Sequence, residues 1–122
     1  DPVERRVVGD TGVFGGSKED RRGEVRKPAN RRALVLAGAT EIVCRITDES
    51  RSGLRLRLDR RTELPKRVVV IDIQDALALE VEVRWVRGQE AGGRTVGQTG
   101  LRGLVPQRLA AAREAWARAG GR

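Results

Sequence analysis

From residue 33 onward, apolar and polar positions alternate in short runs separated by Gly, Asp, Ser and Pro. "RALVLA" (32–37) opens the pattern as a short strand and ends at "GAT" (38–40). "EIVCRIT" (41–47) sets Ile42, Cys44 and Ile46 on one face and Val43 and Arg45 on the other. After "DESRSG" (48–53), "LRLRLD" (54–59) alternates strictly, with Leu54, Leu56 and Leu58 inward and Arg55 and Arg57 outward. A period of two places successive side chains on opposite faces of a strand, so both runs predict half-buried strands. "RVVVIDI" (67–73) is continuously apolar and reads as a central strand. "ALALEVEVRWVR" (76–87) alternates again, with Leu79, Val81, Val83 and Trp85 inward and Glu80, Glu82 and Arg84 outward. "GQEAGG" then reads as a turn, and "RTVGQT" (94–99) as a weaker last strand.

The period changes near the C-terminus. "PQRLAAAREAWARAGG" starts on Pro106, ends on glycines, and puts Leu109, Ala112 and Trp116 on one helical face. That face predicts a helix packed against the strands. Many short strands at this spacing predict an all-β domain, and closure into a barrel would leave no exposed edge. The N-terminal "DPVERRVVGDTGVFGGSKED" (1–20) has no lasting apolar period and reads as a tail or linker. The expected division is therefore a tail at 1–20, a barrel with an N-terminal arginine arm at 21–104, and a helical segment at 105–122.

Composition sharpens this picture. The chain of 122 residues fits one core, and that core must be built from Val, Leu, Ile and Ala, since there are one Phe, two Trp, no Tyr and no Met. The net charge is +8, but it is uneven: residues 28–122 hold eighteen basic and eleven acidic groups. Such a surplus attracts nucleotides, nucleic acids or anionic membranes, or serves solubility alone. Of the twenty-five cations twenty-two are Arg, whose planar fork pairs with phosphates and guanine edges.

Several chemistries are excluded. With no His and one Cys, neither a Cys/His zinc site nor a nucleophile activated by histidine can be assembled. "GVFGGSK" is no phosphate loop, because Ser17 precedes Lys18 and Glu19 follows it. The carboxylate pairs Asp72 with Asp75 and Glu80 with Glu82 sit where solvated charges are expected, so a binding module is predicted rather than an enzyme. A lone Cys44 and the lack of any long apolar run predict a cytoplasmic domain without a membrane span or a metal.

"RRGEVRKPANRR" (21–32) packs six basic side chains into twelve positions. An R-x-x-x-R pair in so Arg-rich a chain means little alone. "DESRSG" carries more, because a D-x-S-x-x-G pattern is expected by chance only about 0.02 times in such a sequence. Arg22 and Arg26 before the first strand, with Asp48, Ser50 and Gly53 after the second, resemble the motifs of a PilZ domain. "CRITDESRSGLRLRL" is similar to the family's strand–motif–strand segment, and "VEVRWVRG" resembles its late strand.

The resemblance implies a six-stranded antiparallel, Greek-key-like barrel and a receptor for cyclic di-GMP, a bacterial second messenger. It implies that Arg22 and Arg26 clamp guanine and phosphate from a flexible arm, with Arg21 as a further guanidinium. Asp48 would accept from the guanine N–H groups, Ser50 would add a hydrogen bond, and Gly53 would admit the ligand closely. "KPANRR" would then connect arm to first strand, and a downstream protein or a covalently linked domain would receive the signal. Two other readings stay open: a ligand-free adaptor, and a basic barrel that binds single-stranded nucleic acid. The latter generally needs aromatic stacking platforms, and both Trp85 and Trp116 are expected in the core. The absence of an aromatic in "VGQTG" departs from the family's last-strand pattern, and Ser52 stands where Gly is frequent.

Overall fold

The structure, a computed structural model, describes residues 27–121. The predicted tail at 1–20 and the arginines Arg21, Arg22 and Arg26 lie outside the described residues. Six strands follow in order: β1 (Lys27–Ala37), β2 (Thr40–Glu49), β3 (Gly53–Leu58), β4 (Arg67–Asp72), β5 (Leu77–Arg87) and β6 (Glu90–Gly100). A 3-10 turn (Gln107–Leu109) leads into helix α1 (Ala110–Arg118). Every pairing is antiparallel, and the order β1-β2-β3-β6-β5-β4 returns to β1 as a closed barrel. The all-β barrel with a C-terminal helix is the architecture that the alternating pattern predicts.

Strict alternation in β2 and β3 has a simple cause. Ile42, Cys44, Ile46, Leu54, Leu56 and Leu58 fill the barrel interior, while Val43, Arg45, Arg55 and Arg57 face outward and are exposed. Strands β1 and β4 differ because both of their faces are covered. Ala33, Val35, Val68 and Val70 point into the barrel. Leu34 and Ile71 pack outside it against Leu109, Ala112, Ala115 and Trp116. The continuous apolar run of β4 therefore reflects burial on two sides, since a closed barrel has no central strand. Trp116 also donates its indole N–H to the Ile73 carbonyl at 3.0 Å, which fixes the helix over the β4 end.

Four expectations are corrected, the first being that Asp72, read as a solvated charge, is 1% exposed and accepts from Arg31 Nε. "KPANRR" is part of β1 and not a connector, because Lys27 and Pro28 stand in register with Glu49 and Asp48 of β2. A register shift between Pro28 and Arg31 accommodates the proline, which cannot donate to the ladder. "EAGG" likewise belongs to strand β6, and the turn before it is only Gly88-Gln89, with Gly88 at φ 59°. Its glycines mark close approach and no turn: a Cβ on Gly93 would lie 2.5 Å from Val81 Cγ1 and 2.6 Å from the Glu82 carbonyl oxygen. Finally, Trp85 is not a core residue. A register shift between Val83 and Trp85 breaks the alternation and leaves the indole 36% exposed on the outer surface.

Candidate ligand-binding site

The "DESRSG" segment spans the last residues of β2 and the first of β3, with Ser50, Arg51 and Ser52 as the link. The Ser50 N–H donates to the Gly53 carbonyl at 2.9 Å, closing a tight turn. The Thr95 N–H of β6 donates to the Ser52 carbonyl at 2.8 Å and ties the link to the neighbouring strand. Asp48 is opposite Arg55 across β2 and β3, beyond a register shift at Thr47. Bulges of this kind re-aim side chains and are frequent beside functional sites.

Asp48 and Gly53 thus lie on the two strand ends that the link joins and Ser50 on the link itself, with three hollows around them. Asp48 lines one of about 400 Å³ with Pro28, Thr47, Arg55 and Glu90. Gly53 and Ser52 border a second of about 230 Å³, whose walls include Arg55, Arg84, Trp85 and Arg94. Ser50 lines a third of about 130 Å³ with Arg31, Glu49 and Asp72. Arg55 is shared between the first two, and Gly53 between the second and third.

The reason for glycine at 53 is visible in the backbone. Its φ is not left-handed, yet a Cβ there would lie 2.7 Å from the Gly93 carbonyl oxygen. Close approach of β3 to β6 therefore excludes a side chain, whatever occupies the hollow beside it.

Trp85 is the surface feature missed by reading the chain as alternating. Its indole covers Gly92, where no Cβ would fit. The guanidinium carbons of Arg55 and Arg87 lie 5.6 and 5.8 Å from the ring centroid, within cation–π range. Two successive glycines on a neighbouring strand were the available signal, since they leave room for a large ring to lie flat.

Arg31 anchors the other side of the link. Its Nη1 and Nη2 donate to the two carboxylate oxygens of Glu49 at 3.1 and 2.6 Å, and its Nε donates to Asp72 Oδ2 at 2.8 Å. Asp75 stands further off, at 3.9 Å. The hydrogen bond from Arg31 holds the Glu49 carboxyl below its ordinary value of 4.5, outweighing partial burial, and Lys27 adds to the effect. In return Glu49, then Asp72, hold the guanidinium firmly protonated against its own desolvation. Among the described residues no group of three or more Asp, Glu, Cys or His is arranged to hold a metal, and no helix is long and apolar enough to cross a membrane.

Taken together, the closed antiparallel barrel, the polar link between β2 and β3 and the helix docked outside define a small binding domain. Residues 20–110 match the PilZ domain, and the chain belongs to that family. PilZ domains are binding domains rather than a catalytic family, and the family is known to bind cyclic di-GMP. Comparison with curated proteins finds no match.

Proposed function

We propose that this chain is a receptor for cyclic di-GMP, bound between the R-x-x-x-R arm and the D-x-S-x-x-G link. One observation carries the reading: β1 begins at Lys27, in register with Glu49, so the chain bearing Arg22 and Arg26 joins the barrel beside Asp48 and Ser50. The ligand has two guanines and two phosphates, so it calls for cations and for groups that read guanine edges. Arg22 and Arg26 pair with guanine O6 and N7 and with phosphate oxygens, with Arg21 as a third cation. Asp48 accepts from the guanine N–H groups and Ser50 adds a hydrogen bond. Trp85 with Arg55 offers a ring on which a base can stack. Bridging arm to link fixes the arm against the barrel and so reorients whatever is joined to it, which is the signal.

Calorimetric titration with cyclic di-GMP tests the proposal. Saturable binding is expected in the parent and loss of it in Arg26→Ala and Ser50→Ala. No heat and no thermal shift at high ligand concentration would overturn it.

Exposure of Trp85 favours a second reading, single-stranded nucleic acid stacked on the same Arg-flanked ring. Mixed oligonucleotides binding with steep salt dependence, and with no preference for the dinucleotide, would support it.

A further inference from the structure

The geometry points to Arg31, which belongs to neither motif, as the positioning residue that holds the D-x-S-x-x-G link in its ligand-ready shape; this rests on the receptor reading above. Glu49 is the middle residue of "DES", flanked directly by Asp48 and Ser50. Both of its carboxylate oxygens accept from Arg31. A bidentate pair between planar groups fixes orientation as well as distance, so Glu49 cannot rotate without breaking two bonds. Its neighbours on either side are restrained with it.

The anchor is itself anchored. Arg31 Nε donates to Asp72, the buried charged residue at the end of β4, which is 1% exposed. The other oxygen of Asp72 accepts from the Asp75 N–H at 3.2 Å. One guanidinium thus joins β1, β2 and β4 at the end of the barrel where the link lies. Beside the link sits the polar hollow lined by Ser50, so the turn has space there into which it would relax if released.

Stability alone is a poor reason for such a cluster. Removing charges from water costs about as much as their attraction returns, and apolar replacements of similar volume are often neutral or stabilising. What the cluster supplies is position. It also offsets charge: without the guanidinium, the Glu49 and Asp72 carboxylates would face the same hollow next to a site for a doubly anionic ligand.

The test uses Arg31→Lys, which keeps the charge and loses the fork, Glu49→Ala, which frees the link and leaves Arg31 on Asp72, and the double variant. Calorimetry with cyclic di-GMP is paired with hydrogen exchange of the ligand-free protein at the Ser50 and Thr95 amides, whose bonds close the link. Each single variant is expected to bind about tenfold more weakly, and the double no more weakly than the worse single, because one interaction is being removed twice. Both amides should exchange faster in the singles while strand amides of β2 and β3 keep their protection. Binding within twofold of the parent, additive losses, or unchanged exchange at the link would each overturn the assignment. A parent that fails to bind overturns the receptor reading instead, and exchange then decides alone whether Arg31 holds the turn.

Discussion

Arg55 holds its guanidinium carbon 5.6 Å from the centre of the Trp85 ring while standing opposite Asp48 on the neighbouring strand. One residue therefore borders both the stacking ring and the carboxylate proposed to read guanine. Trp85→Ala is expected to weaken cyclic di-GMP binding about tenfold, in keeping with the worth of one base–aromatic stack. Trp116 is 6% exposed on the helix face that packs against the barrel, so a ligand-induced change in tryptophan fluorescence should come from Trp85. The signal should vanish in Trp85→Ala and survive in Trp116→Phe.

Gly53→Ala is expected to destabilise the barrel by about 1–3 kcal/mol, as overpacking does, since the added Cβ meets a backbone carbonyl that cannot swing aside. Urea denaturation measures this without ligand. Gly92→Ala makes a contrast, because there the obstacle is the Trp85 side chain. The indole should move and its emission should change, with a smaller loss of stability.

Acid should loosen the link before it unfolds the barrel. Glu49 has a folded-state pKa below its ordinary value of 4.5, so its contribution is fully present above that value and is lost as pH falls through the depressed one. Melting temperature should therefore drop below about pH 4.5, and Glu49→Gln should flatten that part of the profile. Protection of the Ser50 amide, taken relative to an intrinsic exchange that itself slows in acid, should fall as Glu49 protonates.

Cys44 lies inside the barrel, where burial, with a smaller effect from Asp59, pushes its thiol up to about 12. A thiol reagent at pH 8 should leave the folded protein unlabelled. Labelling should follow the rate of barrel opening, and urea should raise it to the rate of a free thiol.

Trp116→Ala removes the largest side chain between helix and barrel together with its bond to the Ile73 carbonyl. A loss of about 3–5 kcal/mol is expected, read by denaturation. The twelve-residue interior cluster has no member from the helix, so its strands should still pair.

Much of this fold was legible because alternation survives wherever one strand face meets solvent, as at Ile42, Cys44 and Ile46 or at Leu54, Leu56 and Leu58. It failed at Trp85 because a single irregular residue reverses the parity of everything after it, and composition carries no trace of that. Glycines 92 and 93 misled for a related reason, since close strand approach and turns ask for the same residue. In the candidate site, Asp48 and Ser50 could be proposed from the sequence because their motif is local. Arg31 could not, since its partners Glu49 and Asp72 lie 18 and 41 residues away and only barrel closure brings them together.

The contact between position 53 and the Gly93 carbonyl bears on how such motifs are weighed in other chains. A chain of this fold that bound no nucleotide would be free to lack the arginines, Asp48 and Ser50, yet it would still need to bring these two strands together. Its last motif glycine would persist as an architectural relic, so counting that residue as a vote for ligand binding inflates the score. A survey that drops it, and asks only for the charged and hydroxyl members, should separate receptors from their silent cousins more cleanly.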